Sequence, residues 1–165
     1  MKKLFLVASL ALMSFMTAQT STYPALAKDG FTLGVNSTGI NFVTAVDSGV
    51  KRTNLGVEGG YFVADKLAAV VGVGYTNTSV KSLGTVTDVF NYTVGAKYYL
   101  QNVIPLQVDL NGDDNSNEYV GFQAGYAFFA SPNFSIEPRA RYDIALDGYN
   151  RDVFSLGLGF NYFFK

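Results

Sequence analysis

Apolar and polar residues alternate along most of the chain beyond residue 30. Between Phe90 and Leu100 every even position is apolar, whereas the odd positions are mostly small or polar. The same alternation occupies 55–61, 120–128 and 154–164. A period of two indicates β-strands, because successive side chains of a strand point to opposite faces. Most runs are about 9 to 11 residues long, which is the length of a tilted membrane-spanning strand.

Eight such strands are predicted. Their ranges are 31–43, 53–63, 67–77, 87–100, 103–111, 118–130, 133–145 and 153–164. The first strand changes phase, since Phe31, Leu33 and Val35 have one parity and Ile40 and Phe42 the other. A bulge near residues 37–39 would explain the change, and so would a shorter strand.

Four pairs of adjacent aromatic residues recur 30 to 37 residues apart. The pairs are Tyr61 and Phe62, Tyr98 and Tyr99, Phe128 and Phe129, and Phe163 and Phe164. Each of the first three precedes a short polar link, and the spacing matches a two-strand hairpin with one longer loop. Four hairpins again give eight strands. We expect the paired aromatics to form a girdle at one membrane interface.

The predicted connections alternate in length. Links after the second, fourth and sixth strands have about three residues, whereas the other links are longer and polar: 44–52, 78–86, 112–117 and 146–152. Short periplasmic turns with longer external loops are typical of outer-membrane barrels. The sequence therefore predicts an all-β fold, an eight-stranded antiparallel up-and-down transmembrane barrel over 31–165, with both chain ends in the periplasm.

The two faces of the predicted strands differ in charge and in size. One face carries nearly all the strand charges among Gly, Ala, Ser and Thr, and the other is large and apolar. An eight-stranded interior is narrow, so the face with small residues is expected inside. The predicted network of lumen charges comprises Glu58, Lys97, Glu137, Arg139, Arg141 and Asp143. Each buried charge needs a partner close by, so we expect ion pairs and a plugged lumen.

The N-terminus has the pattern of an export signal. Lys2 and Lys3 precede an apolar run over 4–16, which is too short to cross a bilayer as a helix. Residues 1–18 are therefore predicted to be a signal peptide and 19–30 a linker. Cleavage after Ala18 is favoured. Cleavage after Ala27 stays open because Ala25 and Ala27 form a better small-x-small site, although they lie far from the apolar run.

The composition excludes several classes of function. The chain has neither His nor Cys and a formal net charge of -1. The commonest general base, thiolate chemistry and a basic surface for nucleic acid are thus all missing. Asp109, Asn111 and Asp113 have calcium-loop spacing, but the loop's required Gly and Glu are absent. We expect no enzymatic activity, catalytic residue, cofactor, metal ligand or nucleic-acid partner.

Three segments resemble the outer-membrane β-barrel domain family of Gram-negative bacteria, which includes the small OmpA- and OmpX-type barrels. The segments are 60–68, 95–100 and 158–164, which combine Gly with aromatic residues. The resemblance implies a fold and a location rather than an activity. It also implies that the barrel assembly machinery reads a C-terminal signal, here Phe154, Leu156, Leu158, Phe160, Tyr162 and Phe164. Lys165 departs from the family pattern, because it follows the last aromatic residue.

The leading hypothesis is a non-enzymatic outer-membrane protein with a structural or surface-interaction role. It would be monomeric, with outer-membrane lipid and the assembly machinery as partners, and no loop motif names an external ligand. Two alternatives stay open: a soluble lipocalin-like barrel that binds an apolar ligand, and a narrow pore for small solutes or ions.

Overall fold

The computed structural model describes residues 24–35, 43–45, 50–80, 85–146 and 152–165, which form a 3-10 turn and ten antiparallel strands. The turn, η1, is Pro24–Leu26. The strands are β1 Phe31–Val35, β2 Val43–Ala45, β3 Val50–Ala64, β4 Leu67–Val80, β5 Thr85–Leu100, β6 Ile104–Asp113, β7 Glu118–Gly125, β8 Phe128–Ser131, β9 Phe134–Ala145 and β10 Val153–Phe164. No helix in these ranges is long and apolar enough to cross a membrane.

The ten strand segments form a closed ring of eight. β1 and β2 both pair with β3, and β7 and β8 both pair with β9, so each of these couples occupies one position in the ring. Every other strand pairs with its neighbours in sequence. β1 closes the barrel, because Phe31 lies opposite Phe164 of β10 on one side and opposite Tyr61 of β3 on the other. The predicted eight-stranded antiparallel barrel is confirmed.

Most large apolar side chains face outward, and most polar side chains of the strands face the lumen. On β5, Val94 is 58% exposed, whereas its neighbour Thr93 is 3% exposed. The same alternation holds along β4 and β6. Among the strand residues that the structure describes, acidic side chains occupy outward positions only near one end of the barrel, at Asp88 and Glu118. The barrel is therefore apolar outside and charged inside, which is the assignment that residue size predicted.

The two ends of the barrel differ in their connections. Short links join β3 to β4, β5 to β6 and β8 to β9 at the turn end, the end that also holds η1 and Lys165. At the opposite loop end the described 114–117 link joins β6 to β7. Lys66, Gln101 and Asn102 have positive φ angles, as tight turns require.

Three strands are longer at the loop end than the sequence pattern indicated. β3, β4 and β5 run to Val50, Val80 and Thr85, about two or three residues beyond their predicted ends. The added residues are mostly Val, Thr, Ser and Lys, and β4 and β5 stay paired there through Val80 and Thr85. Pairing between the strands and the high β propensity of Val and Thr favour this extension. The added residues lack the apolar alternation that would have predicted it.

The predicted strand over 118–130 is interrupted after Gly125. Pro138 of β9 lies opposite this point and has no N–H to donate to the ladder. Tyr126 N donates to Pro138 O (3.1 Å), and Ala127 N turns away to Val103 O (2.7 Å). The predicted bulge near residues 37–39 and the signal peptide lie outside the described residues.

Close packing between β5 and β6 makes Gly95 sensitive to substitution. A Cβ atom there would meet the carbonyl oxygen of Val108 and the backbone of Asp109 (Cα at 2.7 Å). We expect Gly95→Ala to lower the free energy of unfolding by about 1–3 kcal/mol, measured by urea titration in detergent.

Gly59→Ala is the matched control for this substitution. A Cβ atom at Gly59 would meet nothing within 4 Å. It should be neutral, or stabilising by up to about 1 kcal/mol, because Ala restricts the unfolded chain. Equal losses from both variants would contradict the close approach of β6 at Gly95.

Candidate functional site: the barrel lumen

The β9 strand lines the lumen with a polar ladder. From the turn end to the loop end its inward side chains are Ser135, Glu137, Arg139, Arg141 and Asp143. The first four are buried, and the Asp143 side chain keeps 13% of its exposure. One strand can supply this ladder because alternate positions share a face, and the outward positions between them are Ile136, Pro138, Ala140 and Tyr142.

Arg141 joins two carboxylates near the loop end. Its Nη1 and Nη2 donate to Asp109 at 2.9 and 2.6 Å, and its Nε donates to both Asp143 oxygens at 2.9 and 3.0 Å. Asn111 Nδ2 donates to Asp109 (3.2 Å) and to Asp143 (3.0 Å). Hydrogen bonds along both edges of the guanidinium group fix its orientation and also pair its charge.

Glu58 and Lys97 form an ion pair in the middle of the lumen, and both side chains are almost fully buried. Gln107 Nε2 donates to Glu58 Oε2 (3.0 Å) and to Asp109 Oδ2 (2.9 Å). The carboxamide of Gln107 therefore connects the Glu58–Lys97 pair to the Arg141 group. The connected groups span the lumen from β3 to β9.

Glu137 is the centre of a third group towards the turn end. It accepts hydrogen bonds from Arg139 Nη2 (2.9 Å), Ser135 Oγ (2.8 Å) and the Tyr99 hydroxyl (3.2 Å). Among the described residues, Arg139 Nε and Nη1 have no hydrogen-bond partner, although Arg139 interacts electrostatically with Glu58.

Glycines provide the space that the long polar side chains occupy. The Arg139 guanidinium lies directly against Gly159 of β10, and the Arg141 guanidinium against Gly121 of β7. The Asn161 carboxamide lies in the same way over Gly34 of β1. A Cβ atom at any of these glycines would collide with the polar group above it. We call Gly34, Gly121 and Gly159 the glycine seats.

An aromatic layer fills the lumen below the polar network. Phe62, Tyr99 and Phe163 are fully buried, and their ring centroids are 6.0 to 6.4 Å apart. Phe129 is partly buried and packs on Phe163 at 5.5 Å. These distances suit favourable edge and tilted contacts between rings. The Tyr99 hydroxyl bonded to Glu137 connects this layer to the network.

The aromatic pairs are therefore divided between the two faces. Tyr61, Tyr98 and Phe164 are exposed on the outside and Phe128 is half-buried, whereas the other member of each pair belongs to the aromatic layer. The predicted girdle placed all eight rings at the interface. Adjacent strand residues point to opposite faces, so only one ring of each pair can contact lipid.

The structure places all six predicted network residues inside the lumen. Asp109 and Gln107 also belong to the network, although the predicted set did not include them. Both have the inward parity, and Asp109 accepts two hydrogen bonds from Arg141. Asp109 is also the first residue of the calcium-loop spacing. The carboxylate of Asp113 accepts hydrogen bonds from the Asn115 and Asn117 backbones at 2.9 and 3.0 Å, which makes it a loop-stabilising residue.

The six residues of the predicted assembly signal lie on the outward face of β10. Phe154, Leu156, Leu158, Tyr162 and Phe164 are exposed, and Phe160 is half-buried. No group of three or more carboxylates within the described ranges could hold a metal ion. Chemically, the lumen contains ion-paired side chains, with the aromatic layer between them and the turn end.

No protein-family model matches the chain, and no curated protein matches it. Solved structures are similar in fold. The Yersinia pestis outer membrane protein Ail in a phospholipid bilayer nanodisc is 14% identical, with a TM-score of 0.54, over 83% of this chain and 100% of Ail. A structure from the de novo design of transmembrane β-barrels is 13% identical, with a TM-score of 0.50, over 82% of this chain and 96% of the design. The N-terminal barrel domain of Pseudomonas aeruginosa OprF is 12% identical, with a TM-score of 0.46, over 83% of this chain and 98% of the domain. The first two likenesses show that the chain has the fold of a small transmembrane β-barrel, as its resemblance to outer-membrane barrels implied.

Removing the carboxylate of Glu58 tests the buried network. Glu58→Gln leaves the Lys97 ammonium buried without its counter-charge, and we expect a loss of roughly 3–5 kcal/mol in the free energy of unfolding. Thermal or urea unfolding in detergent measures the loss. The double variant Glu58→Gln with Lys97→Met should recover much of it, since it removes the unpaired charge.

Glu118→Gln is the matched control, because Glu118 is exposed at the loop end. It should change the stability by less than about 0.5 kcal/mol. An unchanged midpoint for Glu58→Gln would mean that the Glu58–Lys97 pair is hydrated rather than buried.

Proposed function

We propose that this chain is an integral outer-membrane β-barrel protein with a non-enzymatic structural or surface-interaction role. The observation that carries the proposal is the inverted distribution of polarity. Large apolar residues such as Leu55, Val71, Val94, Leu110 and Leu156 are 58% to 67% exposed around the barrel. An exposed apolar surface of this extent requires a partner phase. A lipid bilayer fits a belt of exposed apolar residues at all eight positions of the ring, on β1, β3, β4, β5, β6, β7, β9 and β10.

The proposed orientation places the turn end in the periplasm and the loop end outside the cell. Short turns on the periplasmic side and longer loops outside are the usual arrangement. A closed sheet also has no unpaired edge to satisfy within lipid. The outward face of β10 would be the strand that the assembly machinery reads, and the barrel would then function as a monomer.

The interior geometry supports a plugged lumen. The network from Glu58 to Asp143 crosses the bore, and the aromatic layer lies beneath it. Eight strands leave an interior that side chains can fill completely. We therefore favour a surface role over a pore, and planar-bilayer recordings with discrete conductance steps would reverse that preference.

The network residues also support a non-enzymatic role. Asp109, Glu137 and Asp143 each accept hydrogen bonds from buried donors, so their charge serves ion pairing. The outward orientation of the large apolar side chains disfavours a soluble lipocalin-like barrel, because such a barrel needs its apolar residues inside.

Membrane fractionation combined with heat-modifiability tests the location and the class together. Expressed in a Gram-negative host, the protein should be found in the outer-membrane fraction. It should migrate differently on a gel before and after boiling, because the closed barrel resists unfolding by detergent. A protein found in the soluble fraction and monodisperse in plain buffer would refute the proposal.

Substitution of a residue in the middle of the apolar belt tests contact with lipid. Val94 lies in the middle of the outward positions of β5, so Val94→Arg should cost roughly 2–4 kcal/mol in bilayers. Leu100→Arg at the turn end is the control and should cost about 0–1 kcal/mol. Folding titrations in phospholipid vesicles measure both, and equal costs would contradict the proposed membrane depth.

A further inference from the structure

Residues 24–30 fold against the turn end of the barrel, although they fall within the predicted linker over 19–30. Backbone hydrogen bonds join this segment to β3 and to the β3–β4 turn: Lys66 N donates to Leu26 O (2.7 Å) and Asp29 N donates to Phe62 O (2.9 Å). Gly30 N donates to Ala27 O (3.2 Å), which closes the turn within the segment.

Side chains fix the same segment from the outside. The Tyr61 hydroxyl donates to Asp29 Oδ1 (2.7 Å), and Lys28 N donates to Asp65 Oδ1 (2.9 Å). Asp29 has a φ of 68°, a left-handed backbone conformation that Asp adopts more readily than most other residues with a side chain. Residues 24–30 are therefore part of the folded barrel rather than a spacer.

The segment also covers the aromatic layer. Ala25 and Leu26 are 5% and 2% exposed and belong to one apolar cluster with Phe62, Tyr99 and Phe163. Without Leu26 this cluster would be open to water from the turn end, and Lys66 would lose the acceptor of its backbone N–H. Both changes are unfavourable.

The structure thereby distinguishes the two candidate cleavage points. A cut after Ala27 would remove the buried Ala25 and Leu26, whereas a cut after Ala18 retains the whole segment. The cut after Ala18 also follows the apolar run closely, as export signals require. We infer that residues 24–30 are a permanent seal on the turn end of the lumen and that export processing cuts upstream of Pro24, between Ala18 and Gln19. The inference rests on the proposed export to the outer membrane.

The intact mass of the chain recovered from outer membranes tests the processing. We expect the mass of a chain that begins at Gln19. A barrel in the outer membrane that begins at Lys28, or that is uncleaved, would overturn this inference and leave the proposed function standing. Absence of the protein from the outer membrane would overturn both.

Cysteine labelling tests the sealing role directly, and the native chain has no Cys to interfere. Ala68→Cys places a thiol in the same buried cluster as Leu26. Two chains carrying it, beginning at Gln19 and at Lys28, are refolded in detergent and treated with a water-soluble maleimide. The shorter chain should react about tenfold faster or more, because the cover over the cluster is gone.

Two controls keep the result interpretable. Asn115→Cys in the exposed loop should react equally in both chains, which shows that the barrel itself is intact. Leu26→Ser in the longer chain should also accelerate labelling of Ala68→Cys, and it remains informative if the shorter chain does not refold. Equal labelling of Ala68→Cys in the sealed chain and in a folded unsealed one would overturn the seal.

Discussion

Closure of the sheet by β1 is the constraint on which the rest of the molecule depends. β1 has only five residues, yet it pairs with β10 and β3 at once and leaves the ring without a free edge there. Closure creates a barrel interior. The interior of an eight-stranded barrel is so narrow that the side chains within it must pack against one another. The separation of charged from apolar residues follows, since every strand contributes one face to each environment.

The interior consists of layers that depend on one another. Gln107 joins the Glu58–Lys97 pair to Asp109 of the Arg141 group, and Tyr99 joins the Glu137 group to the aromatic layer. The aromatic layer lies below them, with Leu26 beneath. A buried network of charges is stable only when its members are satisfied together. Removing one member of a pair therefore leaves its partners buried and unsatisfied.

The alternation along the chain was sufficient to predict the number of strands, the order of the strands and the side of the barrel that most residues face. Period two and hairpin spacing are local properties of the sequence. The alternation was insufficient where partners on other strands decide the outcome. The interruption after Gly125 depends on Pro138, which is close in sequence but acts from the neighbouring strand. The extra length of β4 and β5 depends on their mutual pairing. The importance of Asp109 depends on Arg141, 32 residues away. Residues 24–30 carry no periodicity, so their packing could not be predicted.

The glycine seats have an evolutionary consequence. A glycine that accommodates a guanidinium is free to change only when the arginine above it changes too, so Gly159 with Arg139 and Gly121 with Arg141 should be inherited as coupled pairs. Outward positions have no such coupling, because one apolar side chain can replace another wherever lipid is the neighbour. Substitutions in the interior of such barrels should therefore occur in matched pairs during evolution, whereas the outward residues should change independently of one another.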